Sequence, residues 1–423
     1  MRPKEIMLIA GEASGDLLGA ELVNALREEL TNAEVEYTTD SQPLHTGLEP
    51  RFFGAGGSHM AAAGVELAFD LTQNAIIGIP TPRQYLQLRH RFNELLRLAM
   101  ERQPDVIIGI DYNEFNLRFA HTVRDYVRHR SSWFQDWQPK LVKYISPQVW
   151  ASREGRAYQI ARDYDLVLSI FPFEKQWYAK RVPKLRVEFF GHPMADRFAK
   201  FAVNGRADST ERKQRQILLL PGSRKKEVRR HVPVMISALG IIQQKYPDIR
   251  SKIILPNQPL ADLAKSSGAN VEIQVGGLQK TLAETDVAIS KTGTITMECA
   301  FAGVPAITLY KTSWASYEIG KRMVKVKSIT MPNLLAGEEV FPEFIQNAAT
   351  PENIAGATLE LLQNESRRNE IKTKLVKVIA SLGGPGASWR AAQAITRLLE
   401  PGPGTQLDAR SYERRQPTVV SAH

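Results

Sequence analysis

Residues 105–116 read Asp-Val-Ile-Ile-Gly-Ile-Asp-Tyr-Asn-Glu-Phe-Asn. Val106–Ile110 is a short apolar run rich in β-branched residues, the pattern of a strand buried on both faces of a parallel sheet. Asp111 then stands at the carboxyl end of that strand, where open α/β sheets bind their ligands. A carboxylate there can accept a proton from a substrate hydroxyl, or it can simply cap the helix that comes next.

Outward from this strand, the same alternation recurs. Ile6–Ala10 is strand-like, Gly11–Asp16 a turn, and Leu17–Leu30 carries a helical period. Residues 32–50 are polar and turn-rich, as in a loop or insertion. Arg51–Gly57 reads as strand and glycine turn, and further strands are expected at Leu141–Ile145, Leu166–Ile170 and Val187–Phe190. After a charged stretch, Asn204–Lys213, which reads as a linker, the pattern starts again. Gln216–Leu220 is a buried strand that runs into Pro221-Gly-Ser-Arg224, and Pro233–Lys245 is helical. Short strands come next at Ile253–Leu255, Val287–Ile289 and Val304–Leu309. Two successive βα assemblies predict two doubly wound parallel sheets. At 423 residues the chain is too long for one ordinary core. The expected domains are 1–200, 214–365, closing helices over 366–400, and a disordered tail over 401–423, rich in Pro, Gly, Arg and Ser.

The sole cysteine, Cys299, excludes a disulfide framework within the chain. No apolar run reaches the roughly 18–20 residues that span a bilayer, and the apolar start is too short for a signal peptide. The net charge of +10 calls for an anionic partner: nucleic acid, a membrane surface or a phosphorylated small molecule. No zinc-ligand spacing or RNA-recognition motif is present, so nucleic acid is not expected as a partner.

Three further turns carry chemistry. In Gly11–Asp16, Glu12 argues against a phosphate and suits a sugar hydroxyl; the alternative is a plain βα turn capped by Ser14 or Asp16. Arg224 ends a buried strand and can aim its forked guanidinium at a diphosphate, with Glu227 as counter-ion; the alternative is an exposed basic helix start. Thr292-Gly-Thr294 opens a helix whose free amides and hydroxyls form a phosphate cradle, and Glu298, one turn on, suits ribose hydroxyls; the alternative is an ordinary capped helix. In Pro332–Gly337, read as a loop, Asn333 can contact a polar ligand or belong to a plain turn. After Tyr144, Ser146 and Trp150 can line a binding surface; for Trp150 the alternative is packing in the core.

Together and in this order, these segments resemble the lipid-A-disaccharide synthase family. The blocks are Ala10–Asp16; Gly109–Asp111 with Phe115-Asn116; Tyr144–Pro147 with Val149-Trp150; Phe171–Glu174; Gly191–Asp196; Leu220–Arg224; Thr292–Thr294 with Glu298; and Pro332–Ala336. The resemblance implies a glycosyltransferase B fold, two Rossmann-like domains around a cleft. It implies an inverting transfer from UDP-2,3-diacylglucosamine to 2,3-diacylglucosamine 1-phosphate, giving a β-1,6 disaccharide phosphate and UDP. Asp111 is then the general base and Glu12 lies near the reacting sugars. Arg224, Thr292, Gly293, Thr294, Glu298 and Asn333 fall on the UDP side. No metal or cofactor is implied. Ile76, Ile77, Ile79, Arg83 and Arg89 would meet acyl chains and an anionic membrane, with Ser146 and Trp150 on the acceptor side. The expected location is cytoplasmic, on the inner face of the inner membrane, with a homodimer left open. The chain departs from the family at Asn113-Glu114 (usually Pro-Asp), at Ser152 (usually Trp), and at Pro80 and Pro82 in a region normally helical. The alternatives are another UDP-sugar enzyme of this fold, such as an epimerase or a transferase with a different glycolipid acceptor, and a non-catalytic membrane-surface binding protein.

Overall fold

The computed structural model describes residues 2–32, 35–37, 43–45, 49–72, 81–130, 137–203, 214–314, 317–318 and 326–400. The expected linker 204–213, the tail 401–423 and the isoleucines 76, 77 and 79 lie outside them. The chain forms two compact units: residues 1–143 with 163–166 and the stretch from 391 onward, and residues 144–162 with 167–390.

The strands of the first half are β1 (Glu5–Ala10), β2 (Val35–Tyr37), β3 (Pro43–His45), β4 (Arg51–Gly56), β5 (Glu66–Asp70), β6 (Val106–Ile110), β7 (Lys140–Tyr144), β8 (Leu166–Ser169) and β9 (Arg186–Phe189). β2 and β3 form an antiparallel pair. The other seven make one sheet in the order β5-β4-β1-β6-β7-β8-β9. β1 runs parallel to β4 on one side and to β6 on the other, with Ala10 beside Ile110. Ile6 to Ala10 are all buried, so β1 has no face to offer water and takes an inner place.

The second sheet holds β10 (Gln216–Leu220), β11 (Arg250–Leu255), β12 (Glu272–Val275), β13 (Val287–Lys291), β14 (Ala306–Tyr310) and β15 (Glu343–Ile345) in the order β12-β11-β10-β13-β14-β15. Every pair in it is parallel. Both sheets therefore share one topology. The chain builds outward from a founding strand on one side, then returns to its other flank. This switch falls between β1 and β6 in the first sheet and between β10 and β13 in the second. The carboxyl ends flanking such a switch are where open α/β sheets hold ligands.

Local boundaries differ from expectation at informative places. The first helix begins at Ala13 and runs to Asn32, so Ser14, Gly15 and Asp16 are helical rather than part of a turn. Asp16 is buried and does not cap its own helix. Its carboxylate accepts hydrogen bonds from the backbone of Gly57 (2.7 Å), His59 (2.9 Å) and Met60 (3.0 Å), capping the short helix Ser58–Ala62. The helix after β10 starts at Lys225 and continues through Pro233, eight residues earlier than the proline suggests. Residues 331–336 are a helix closed by Gly337 at φ +72°, not a loop. Among the described residues no helix is long and apolar enough to cross a membrane.

Asp16→Ala strands three backbone N–H groups at a helix start. It is expected to cost about 1–3 kcal/mol of stability, read as a lower urea midpoint, with Asp16→Asn milder because it keeps one acceptor oxygen. An unchanged midpoint for the alanine variant would refute the cap.

Candidate active site

At the first switch, β1 delivers Gly11-Glu12 and β6 delivers Asp111-Tyr112 on neighbouring strand ends. Asp111 and Tyr112 adopt φ of +42° and +39°. The left-handed region costs a side-chain-bearing residue about 1–3 kcal/mol, so the surroundings must hold the turn there. They do so at several points. The Asn116 side-chain amide donates to the carbonyls of Ile9 (3.3 Å), Ile110 (3.1 Å) and Asp111 (2.9 Å), tying both strand ends together. Lys143, on β7, donates from its ammonium to the carbonyls of Gly109 and Asp111. The Tyr112 ring lies against Gly11, where a Cβ would sit 2.3 Å from the ring, so only glycine admits it. Tyr112 also stacks on Phe115 at 5.4 Å between ring centroids.

Asp111 is half-buried, and no hydrogen bond to its carboxylate is found among the described residues, so the capping alternative finds no bond. Glu12 is half-buried beside it. Burial raises the Tyr112 phenol above its ordinary value, and the charge of Glu12 adds to that rise while Arg91 opposes it. Lys143 is wholly buried, and desolvation draws its ammonium down to about 8, with Asp111 pulling the other way. Below pH 8 the folded protein therefore carries a penalised charge, and that penalty fades as pH rises from 8 towards the ordinary lysine value.

At the second switch, β10 leads into Pro221–Arg224 and β13 into Thr292–Thr294, with Leu220 paired to Ser290. Arg224 is the residue before the helix Lys225–Lys245, and Glu227 lies in that helix's first turn. One Glu227 oxygen accepts from Lys291 (3.3 Å) and Arg224 (3.5 Å), and the other from the Ser223 backbone (3.1 Å). The carboxylate so close to Gly222, at φ +121°, would collide with any Cβ there. Arg224 is half-exposed, while Glu227 and Lys291 are largely covered. His231 fixes the turn from below: Nδ1 meets the Pro221 carbonyl at 2.7 Å, and Nε2 accepts from the Lys311 backbone at 3.1 Å. Burial holds its imidazole below the ordinary value, which suits a neutral ring with the proton on Nδ1.

Gly293, at φ +130°, is the N-cap of the helix Thr294–Phe301, and among the described residues no side chain is found bonded to that helix's first amides. Its first amides thus keep their capacity for an anion. Thr292 is buried, Thr294 exposed and Gly293 between them. A Cβ on Gly293 would stand 2.9 Å from the Lys291 ammonium, so that cation reaches the same turn. Burial raises Glu298 to about 7, against the pull of Arg197. Arg224, Lys291, the 292–294 turn and Glu298 thus all derive from the ends of β10 and β13.

Three of the expected contact residues are buried and engaged within the protein. Asn333 is buried with its amide fully engaged: it donates to Phe341 O (2.8 Å) and Glu343 (2.9 Å) and accepts from Val340 (2.9 Å) and Phe341 (2.8 Å). From its helix the side-chain amide fixes residues 340–343. Trp150 is 8 % exposed, donates its indole N–H to Glu174 at 2.9 Å, and packs edge-on to Phe173. Ser146 is equally buried, and its hydroxyl meets the Tyr178 hydroxyl at 3.2 Å. Both belong to a network around Glu174, which also accepts from Ser169 at 2.5 Å. Burial raises Glu174 to about 7 despite these bonds. Trp150 shares a core cluster with Met297 and Met331, so this network supports the helices that carry Glu298 and Asn333. Arg83 and Arg89 are exposed on the first turns of the helix Pro82–Arg102, beside Tyr85 and Leu86, 45 % and 63 % exposed. Lys143, Lys291, His231 and Glu174 were not foreseen as site or support residues. A lysine in the last two positions of a largely buried strand was the available signal for the first two.

A family description, lipid-A-disaccharide synthetase, matches residues 6–397. The lipid-A-disaccharide synthase of Geobacter metallireducens is 34% identical over 408 residues, covering 94% of this chain and 97% of its own. That of Syntrophus aciditrophicus is 35% identical over 419 residues, covering 95% and 99%. Among solved structures, the UDP-GlcNAc 2-epimerase of Neisseria meningitidis, bound to UDP-GlcNAc, superposes with TM-score 0.57 at 13% identity, covering 94% of this chain and 100% of its own. A spinosyn rhamnosyltransferase with its aglycone gives 0.54 at 14%, with coverage of 94% and 100%. These two likenesses establish the shared fold and nothing finer.

Glu174 binds a proton in the folded state between about pH 4.5 and 7 that the unfolded chain has lost, so its contribution to stability falls as pH rises through that window. The melting temperature of Glu174→Gln relative to the unmodified protein is therefore expected to be more favourable at pH 8 than at pH 5. A pH-independent difference would contradict the buried, raised carboxyl.

Proposed function

The chain belongs to the lipid-A-disaccharide synthase family, and from that premise we propose how its residues divide the work of an inverting glycosyl transfer. The protein is a glycosyltransferase that joins UDP-2,3-diacylglucosamine to 2,3-diacylglucosamine 1-phosphate. Asp111 takes the proton of the acceptor 6-hydroxyl while O6 attacks the anomeric carbon of the UDP-sugar. The bond from that carbon to the diphosphate breaks, and UDP leaves with the bonding pair. Glu12 accepts hydrogen bonds from a sugar hydroxyl beside it.

The observation that supports the reading is that Glu12 and Asp111 follow the neighbouring ends of β1 and β6 at the switch of the first sheet, with Asn116 bonded to both strand ends. At the second switch, Arg224 and Lys291 exchange their contact with Glu227 for the diphosphate, and the open amides after Gly293 complete its cradle. Such preorganised donors stabilise charge that grows on the leaving group. Glu298 holds ribose hydroxyls. In this scheme residues 1–200 take the acceptor and face the membrane, and 214–365 hold UDP. Arg83, Arg89, Tyr85 and Leu86 dock to an anionic bilayer from one side, on the inner face of the inner membrane. The epimerase and non-catalytic alternatives are not favoured, because relatives matching nearly the whole chain bear a synthase name.

The deciding experiment incubates purified protein with both diacyl substrates and follows UDP and lipid product together; product without a base requirement, or no UDP at all, would refute the scheme. Asp111→Ala should lower kcat by about 10²–10⁴-fold, the contribution of one positioned base. Arg224→Ala loses charge-assisted bonds to UDP and should weaken turnover of the UDP-sugar by about 1.5–3 kcal/mol; normal kinetics would remove it from the site. Reversing Arg83 and Arg89 to Glu should reduce sedimentation with phosphatidylglycerol vesicles and spare neutral ones; equal binding to both would exclude a headgroup contact.

A further inference from the structure

Two groups beside Asp111 make little sense as packing alone. Lys143 is a fully buried cation on β7, where a neutral side chain of the same length would avoid the cost of desolvating a charge. Asn116 is 2 % exposed, yet among the described residues its side-chain oxygen has no hydrogen-bond partner. Its amide nitrogen instead serves three backbone carbonyls. The two unfavourable groups meet at one atom: both donate to the carbonyl oxygen of Asp111. That oxygen belongs to the turn with two consecutive positive φ values. Gly109 completes the arrangement, since a Cβ there would stand 3.0 Å from the Asn116 side chain.

We propose that Lys143 and Asn116 are positioning residues, which clamp the Asp111 carbonyl and so hold the carboxylate in the left-handed turn needed to reach the acceptor hydroxyl. The inference rests on Asp111 being the general base. Relaxation of the turn would swing the carboxylate while leaving the substrate-binding surfaces in place. A base displaced by about 1 Å loses on the order of 10²-fold in rate.

The test compares Lys143→Met, Asn116→Asp and Asp111→Ala with the unmodified protein, reading kcat, both KM values and melting temperature. Lys143→Met is close to the lysine in length but cannot donate. It should melt at the same or a higher temperature, keep both KM values, and lose at least about 10-fold in kcat. Asn116→Asp keeps the shape but turns an oxygen towards three backbone carbonyls, so it should melt lower, yet keep both KM values and lose at least about 10-fold in kcat; a variant that does not fold would assign Asn116 to the fold and overturn its positioning role. A Lys143→Met protein with normal kcat overturns the proposal for Lys143, as does one that fails to fold, which would assign the lysine to the fold. Normal kcat in Asn116→Asp overturns the proposal for Asn116. If the unmodified protein releases no UDP, or Asp111→Ala is fully active, the functional reading fails instead.

Discussion

The structure depends on one constraint of parallel sheets. A founding strand buried on both faces must pass its chain first to one flank and later to the other, and the carboxyl ends at that parting are left without a crossing connection above them. β1 and β6 leave one such place, and β10 and β13 another. The hydrophobic burial of Ile6–Ala10, Val106–Ile110, Gln216–Leu220 and Val287–Ser290 fixes where the strands end. The polar groups assigned to the proposed reaction follow those ends by no more than about two helical turns.

The turns beyond the strand ends differ in character between the two switches. The first carries acids on a strained, tightly clamped turn, fit for removing a proton from a hydroxyl. The second carries cations and open amides, with Glu227 holding the cations in place, fit for a diphosphate. The burial of Glu298, Glu174 and Lys143 shifts each towards its neutral form. Such shifts cost stability, and two of the three groups lie beside or beneath these turns, where stability is commonly given up for geometry.

The sequence made the strands legible because their signal is local. An apolar β-branched run ending in a polar turn identified β6, β10 and β13 within a residue or two, and with them Asp111, Arg224 and the 292–294 turn. The features it hid depend on pairs far apart in the chain. Asp16 caps a helix more than forty residues away, so a local reading assigned it to its own turn. Asn333 looked available to a ligand because its partners, residues 340–343, lie beyond a six-residue helix that Pro332 and Gly337 disguised as a loop. Trp150 and Ser146 looked like lining residues until Glu174 drew them inward. Pro233 suggested a helix start, yet the buried face set by Val228, Val232 and Met235 carries the helix across it.

The central claim is that Asp111 acts on the acceptor hydroxyl as a base. It is tested most directly with an acceptor whose 6-hydroxyl is replaced by a thiol, which ionises near pH 8.5 and needs far less help. The ratio of rates for unmodified protein over Asp111→Asn is measured with each acceptor at pH 8.5. A large ratio is expected for the hydroxyl and a ratio near one for the thiol. Equal losses with both acceptors would contradict it.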